Sequence, residues 1–210
     1  MRLTSPTPTS DPLPFYRSDE PVQIPPGATR VILRGDAVAR FDALLHELHP
    51  NAARVDIDRM QHLADWLLSM SPERARDVLE RRLERIDELR AMLLDSAWDT
   101  DPAFEARLRK LLDYLDRDDD LISDHQPLLG LLDDVLLIEL AWPAFAGEAE
   151  DYEDFCAYRQ ETHPVGDGAA QRAAWLRDRL ASIALWQHRI RVHDSRYVHR
   201  GQPDDFFHVS

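Results

Sequence analysis

Apolar residues recur at helical spacing from about residue 36 onward and predict a succession of amphipathic helices. Asp36 is a plausible cap for the first, which Pro50 ends. A second begins near Asp56. Ser71-Pro72 and Asp101-Pro102 each combine a capping side chain with a proline at the first helical position, so each predicts a further helix start. The pattern therefore predicts four helices before residue 117.

The second half of the chain predicts three more helices. An almost continuously apolar stretch near 127–145 is typical of a buried helix, followed by a short acidic helix over 148–160 and a last helix over about 169–192. Residues 29–34 predict either a short strand or an extended anchor. The predicted fold is all-α, an irregular bundle of six or seven helices.

The ends of the chain differ from this helical middle. Seven of the 14 prolines fall within residues 6–26, which predicts an extended arm, either disordered or lying over the domain surface. We therefore divide the chain into an arm over 1–28, a helical domain over 29–194 and a C-terminal tail over 195–210. The tail carries Phe206 and Phe207, two rings through which it could dock.

Charge and cysteine content narrow the function classes. The chain has 25 basic and 39 acidic residues, and its formal net charge of −14 repels nucleic-acid phosphates. Cys156 is the only cysteine, which excludes an intrachain disulfide and a thiolate metal cluster. No uninterrupted apolar run reaches about 18 residues, and the first residues lack a secretory signal. We expect a cytoplasmic protein with no membrane span and no nucleic-acid partner.

Two adjacent carboxylates, Asp133 and Asp134, stand inside the most apolar run of the chain. Burying an ionised carboxylate costs several kcal/mol unless it finds a cation, hydrogen-bond donors or a metal. On a helical wheel Gly130 falls between the two aspartates, so they would flank a notch that admits another chain. These two residues are therefore expected to be paired or functional.

The residues around this pair resemble the core signature of the YkvA-like family, a bacterial domain family of unknown function. The resemblance covers about 20 residues and is carried by Asp120, Leu121, Ile122, Asp124, Pro127, Gly130, Asp133 and Asp134. Ser123, His125 and Gln126 depart from the usual pattern, where a proline and two apolar residues stand. The resemblance implies a small helical domain, here near residues 100–142, and brings no established activity with it.

Four interpretations of the aspartates follow. In the first, Asp124 caps the apolar helix, while Asp133 and Asp134 pair with Arg179 or with Arg172 of the last helix. These arginines lie on the apolar arc of that helix, whose other members are Trp175, Leu176, Leu180, Ile183, Trp186 and Ile190.

The other three interpretations are functional. Asp120, Asp124, Asp133 and Asp134 are the hard oxygen ligands that magnesium, calcium or manganese prefers. His125 beside Asp124 could form an acid–base pair for hydrolysis. Finally, the notch at Gly130 could receive a partner chain.

The distribution of charge favours a partner over a substrate. Residues 113–124 hold six aspartates, whereas residues 172–200 hold seven arginines. If these opposite patches pair within the chain, they explain how the helices dock. If the acidic face stays exposed, it could bind a basic protein, as antitoxins and immunity proteins do, and the arginines could equally support a homodimer. The leading prediction is a non-catalytic protein-binding or regulatory module without a cofactor. The alternative is a divalent-metal-dependent hydrolase built on the four aspartates.

Overall fold

The computed structural model describes residues 13–16, 31–117, 121–122 and 128–198, with the side chains of the last helix described as far as residue 193. Within these ranges the protein is all-helical and contains no strand, which confirms the predicted fold class. The helices are α1 (Gly35–Leu48), α2 (Ile57–Leu68), α3 (Pro72–Leu94), α4 (Pro102–Leu115), α5 (Leu132–Ala141), α6 (Ala146–Thr162) and α7 (Gly168–Val198). Short 3-10 turns occupy Pro14–Tyr16, Leu129–Leu131 and Trp142–Ala144.

Three helices begin where their capping residues predict. Asp56 accepts a hydrogen bond from the Arg59 amide at 2.8 Å, and Ser71 caps α3 in the same way. Asp101 accepts from the first turn of α4. The expectation for Asp36 was wrong: α1 already begins at Gly35, and the carboxylate of Asp36 accepts hydrogen bonds from Arg34.

α5 lies at the centre of the bundle. Nine of its ten residues are buried, and it packs against α1, α3 and α4. The predicted helix over 127–145 is broken into this short helix and a 3-10 turn at each end. Leu128 has a positive φ of 71°, which no α-helix accommodates, and Pro143 lacks the amide that a further turn would need. No helix in the described ranges combines the length and hydropathy needed to cross a bilayer.

Arg82 on α3 is buried, although arginine side chains are usually found at the surface. Its side chain is 5% exposed, and its Nε donates to Oε2 of Glu139 on α5 at 2.7 Å. Its Nη1 donates to the Val78 carbonyl. Leu94, at the end of α3, is 84% exposed. The buried face of α3 thus includes Arg82, for which Glu139 supplies a partner inside the core.

A short piece of the proline-rich arm completes the core. Leu13 and Phe15 are buried, and the Leu13 amide donates to Oε1 of Glu139 at 2.8 Å. Phe15 lies under the guanidinium of Arg59 on α2. Residues 31–34 form no strand, and Val31 anchors them in the core. The rest of the predicted arm lies outside the described residues. Residues 195–198, predicted to begin the tail, continue α7, and the remainder of the tail, with Phe206 and Phe207, is outside the described residues.

The start of α7 sits very close to the loop before α4. A Cβ added to Gly168 would lie 2.4 Å from the Cα of Ala97, so glycine is required by close backbone approach. Gly147 in the first turn of α6 has no heavy atom within 4 Å of the equivalent position. Gly168 and Gly147 are thus two glycines near helix starts that differ in whether a side chain would meet a neighbouring backbone, so one serves as the control for the other.

We predict that Gly168→Ala lowers the free energy of unfolding by about 1–3 kcal/mol, because the α7 start must shift away from Ala97. Gly147→Ala should leave stability unchanged or raise it by at most about 1 kcal/mol, since alanine has the higher helix propensity. Urea unfolding followed by circular dichroism measures both. Equal stability of the two variants would contradict the close approach.

Candidate functional site

The Asp133 carboxylate is fully buried on α5 and accepts three hydrogen bonds from described residues at one of its oxygens. Oδ2 accepts from the Tyr114 hydroxyl at 2.9 Å and from the amides of Leu121 and Ile122 at 3.1 and 3.2 Å. Tyr114 is positioned by an edge-to-face contact with Phe41. Donors to a charged group offset much of its desolvation cost. Asp133 therefore ties the chain that follows α4 to the centre of the fold.

The other predicted members of this site fall in different places. Asp120, Asp124 and His125 lie outside the described residues, so the metal site and the acid–base pair stay predictions. Asp134 is also buried, at 7% exposure. Within the described part of the chain, no group of three or more His, Cys, Asp or Glu side chains is arranged to hold a metal ion.

The predicted notch involves two elements instead of one helix. Gly130 is buried in the 3-10 turn that precedes α5, and α5 itself begins at Leu132. The continuous helix on which the notch was predicted is therefore not formed, and the notch itself stays a prediction.

The predicted pairing of Asp133 with Arg179 is wrong. Arg179 donates from Nη1 to Oδ1 of Asp151 on α6 at 2.5 Å, and its guanidinium lies over the ring of Trp175. Arg172, the other candidate, pairs with Asp99 at 3.3 Å. The physical reason is that α7 packs against α6, whereas α5 is enclosed by other helices.

An aromatic cluster fixes the first turns of α7. The rings of Trp98, Phe155 and Trp175 lie within 5.4–5.7 Å of one another, centroid to centroid. The indole of Trp175 donates to Asp154 at 2.9 Å, and that of Trp98 donates to Glu148 at 3.1 Å. These contacts hold α6 and the beginning of α7 to the loop before α4.

Asp95 anchors the same loop to α6. Burial alone would raise its pKa, but hydrogen bonds from the Ala97 amide and from Arg159, with a further one from Tyr152, hold the pKa below its usual value. Burial and the neighbouring Cys156 and Asp95 raise the pKa of the Tyr152 hydroxyl. At neutral pH the centre of this cluster is therefore an ionised carboxylate among donors.

Beyond these anchors, α7 exposes an apolar face. Every described side chain from residue 180 to 193 is exposed. We call the stripe formed by five large apolar residues on one side of the helix the α7 arc. Its members, between 38% and 65% exposed, are Leu176, Leu180, Ile183, Trp186 and Ile190.

The lengths of the two helices explain this exposure. α6 has 17 residues and α7 has 31, so the two are about 25 and 46 Å long. They run antiparallel, with Asp154 beside Trp175 and Asp151 beside Arg179. Continuing this register places the first residue of α6 opposite about residue 184 of α7. The second half of α7 therefore projects past its neighbour.

The α7 arc is flanked by basic side chains. Arg177, Arg189 and Arg191 are exposed, and none of them forms an ion pair with a described residue. Asp178 is the one acid between residues 176 and 193, and by helical geometry it lies on the opposite side from the arc. The helical periodicity of the sequence identified the residues of this arc. The predicted pairing of its arginines with buried aspartates implied that the arc is covered by the core, whereas the structure leaves it exposed.

We predict that Tyr114→Phe lowers the free energy of unfolding by about 1.5–3 kcal/mol, because the buried Asp133 carboxylate loses a donor. Asp113→Asn, which changes an exposed carboxylate on the same helix, should change it by no more than about 0.5 kcal/mol. Denaturant unfolding measures both. A Tyr114→Phe variant as stable as the Asp113→Asn control would show that this hydrogen bond contributes nothing.

We predict that Asp95→Asn is less stable than the unsubstituted protein at pH 7, and that this difference shrinks as the pH falls below about 4. The folded-state pKa of Asp95 is lowered, so its stabilisation is present above the unfolded pKa and is lost as pH falls through the folded value. Urea unfolding from pH 7 to pH 3 tests the sign. A difference that stays constant or grows on acidification would contradict it.

Comparisons with protein-family models, with curated proteins and with solved structures found no match to this chain. The YkvA-like resemblance near residues 120–138 stays an expectation from the residues that carry it. The functional argument below therefore rests on the geometry of the described residues.

Proposed function

We propose that this protein is a non-catalytic protein-binding module and that the α7 arc is its binding surface. The observation that carries this proposal is the exposure of five large apolar side chains along one face of a single helix. Apolar side chains scattered singly over a surface are ordinary, whereas a contiguous apolar patch rimmed by polar groups is typical of an interaction site.

The way α7 is held supports the proposal. Its beginning is fixed by the ring of Trp175 and by the Arg179–Asp151 ion pair, and its projecting half stands in solvent. The arc follows helical spacing, which is the pattern by which an amphipathic helix is recognised in a groove or beside another helix. Because α7 is a helix anchored at its beginning, the apolar side chains along its projecting half are already held in place. Binding a partner there therefore does not require the entropic cost of ordering a loop.

An acidic face for a basic partner has less support. Asp151 is engaged with Arg179, and Asp154 with the indole of Trp175. Asp116 pairs with Arg90. These acids therefore contribute to packing within the chain. The metal-dependent hydrolase built on Asp120, Asp124, Asp133 and Asp134 stays an alternative, and the first two of these residues lie outside the described part of the chain.

We predict that a photo-crosslinking amino acid at position 183 in the full chain, expressed in cells of the source organism, forms discrete protein adducts. The same amino acid at Leu185 should form few or none. Ile183 is 43% exposed on the arc, and Leu185 is 53% exposed on the opposite side of the same helix. Because the two positions are similarly accessible to solvent, a difference in crosslinking yield reports which face of the helix contacts a partner. Denaturing gels of irradiated cells give the measurement. Adducts of equal yield at both positions, or at neither, would contradict the proposal.

A further inference from the structure

We propose that the partner bound by the α7 arc is a second copy of this chain, with the two α7 helices antiparallel about a two-fold axis at Ile183. This inference rests on the proposed function and names the occupant of the same surface. It is argued from the symmetry of the arc, from the part of α7 that projects, and from the charges beside it.

The arc reads the same in both directions from its centre. Leu176 and Ile190 each lie seven residues from Ile183, and Leu180 and Trp186 each lie three residues from it. A two-fold axis through Ile183 would therefore place Leu176 against Ile190 of the other copy, and Leu180 against Trp186. An interface between identical copies must be self-complementary in this way. The spacings of four, three, three and four residues keep all five side chains on one side of the helix.

The arc gathers five of the eleven exposed large apolar side chains of the described residues on one helix face. Of the other six, Leu185 and Val192 lie on the far side of α7, and Ile32, Ile57, Leu94 and Val165 lie outside α7. The arc itself is the matching surface that every copy carries.

Because half of α7 projects beyond α6, two copies can pack their α7 helices side by side in an antiparallel arrangement. The half of the arc that contains Leu176 lies alongside α6, and the half that contains Ile190 extends past it. Antiparallel pairing lays each projecting half along the partner copy's half beside α6. Both halves are then covered, over about 22 Å of helix. A parallel pair would leave the two projecting halves supported only by each other.

Charge complementarity also favours this arrangement. The projecting half carries Arg189, and the antiparallel geometry brings that side of the helix toward α6 of the other copy. That helix exposes Glu150, one turn from Asp154 on the side that faces α7. The same contact occurs twice by symmetry. Arg177 of one copy and Arg191 of the other come near each other on the solvent side, where repulsion between exposed charges is weak and screened by salt.

The size of the contact sets the expected strength. One pair of helices with five apolar side chains from each copy lies at the small end of specific protein interfaces. We therefore expect a dimer that dissociates on dilution, with a dissociation constant on the order of micromolar.

Cysteine trapping tests the geometry in the full chain. In a Cys156→Ser background, Ile183→Cys should form a disulfide-linked dimer under mild oxidation, whereas Leu185→Cys should not. Leu176→Cys mixed with Ile190→Cys should give a mixed dimer in preference to either self-linked product, because the two positions meet only across an antiparallel pair. Self-linking of Leu176→Cys without the mixed product would overturn the antiparallel arrangement.

Charge substitution tests the association itself by sedimentation over a concentration series. Ile183→Glu and Ile183→Lys should each be monomeric, because like charges meet at the two-fold axis, and an equimolar mixture of the two should recover the dimer. Leu185→Glu is the matched control and should dimerise like the unsubstituted chain. Circular dichroism confirms that each variant is folded.

The two proposals fail in distinguishable ways. An unsubstituted chain that stays monomeric to about millimolar concentration, or a mixture of the two Ile183 variants that fails to associate, would overturn the second copy as partner. If position 183 still crosslinks to a different protein in cells, the binding function stands with another occupant. If position 183 forms no adduct and the chain is monomeric, both proposals fall.

Discussion

A helix that is apolar around its whole circumference must be enclosed on every side, and α5 imposes this constraint on the fold. α1, α3 and α4 surround it, and the segment at Leu13–Phe15 fills a remaining gap. The polar side chains of α5 then decide where its neighbours attach. Asp133 receives Tyr114 and the backbone after α4, and Glu139 receives Arg82 and the Leu13 amide.

Local signals predicted the starts of the helices well, because a capping side chain and its amide lie within three residues of each other. Asp56 and Asp101 are the clear cases. The burial of Arg82, in contrast, could not be predicted from neighbouring residues in the sequence. Its partner Glu139 is 57 residues away, and an arginine is expected at the surface unless a buried carboxylate is known to face it. Its position between Leu79 and Ile86 on the inner face was the one available hint.

In the candidate site, too, local sequence patterns identified residues, but they did not identify the contacts those residues make with other elements. Periodicity identified the α7 arc residue by residue, but a core helix and a binding helix have the same pattern, so the sequence could not tell whether anything covers it. That outcome depends on where α6 begins, at Ala146. The misassigned Arg179 has a similar origin: both it and Asp133 were charges in apolar surroundings, and each has a nearer partner on another element.

The hydrogen bond from Leu13 to Glu139 joins residues 126 positions apart. Ribosomes synthesise proteins from the N-terminus, so Leu13 emerges long before the carboxylate that receives it. The packing of Leu13 beside Glu139 therefore waits for the synthesis of α5, and contacts of such long sequence separation form slowly. Nascent chains of this protein pass through a stage in which Arg82 has left the ribosome but its counter-ion has not, and only synthesis of α5 ends that stage.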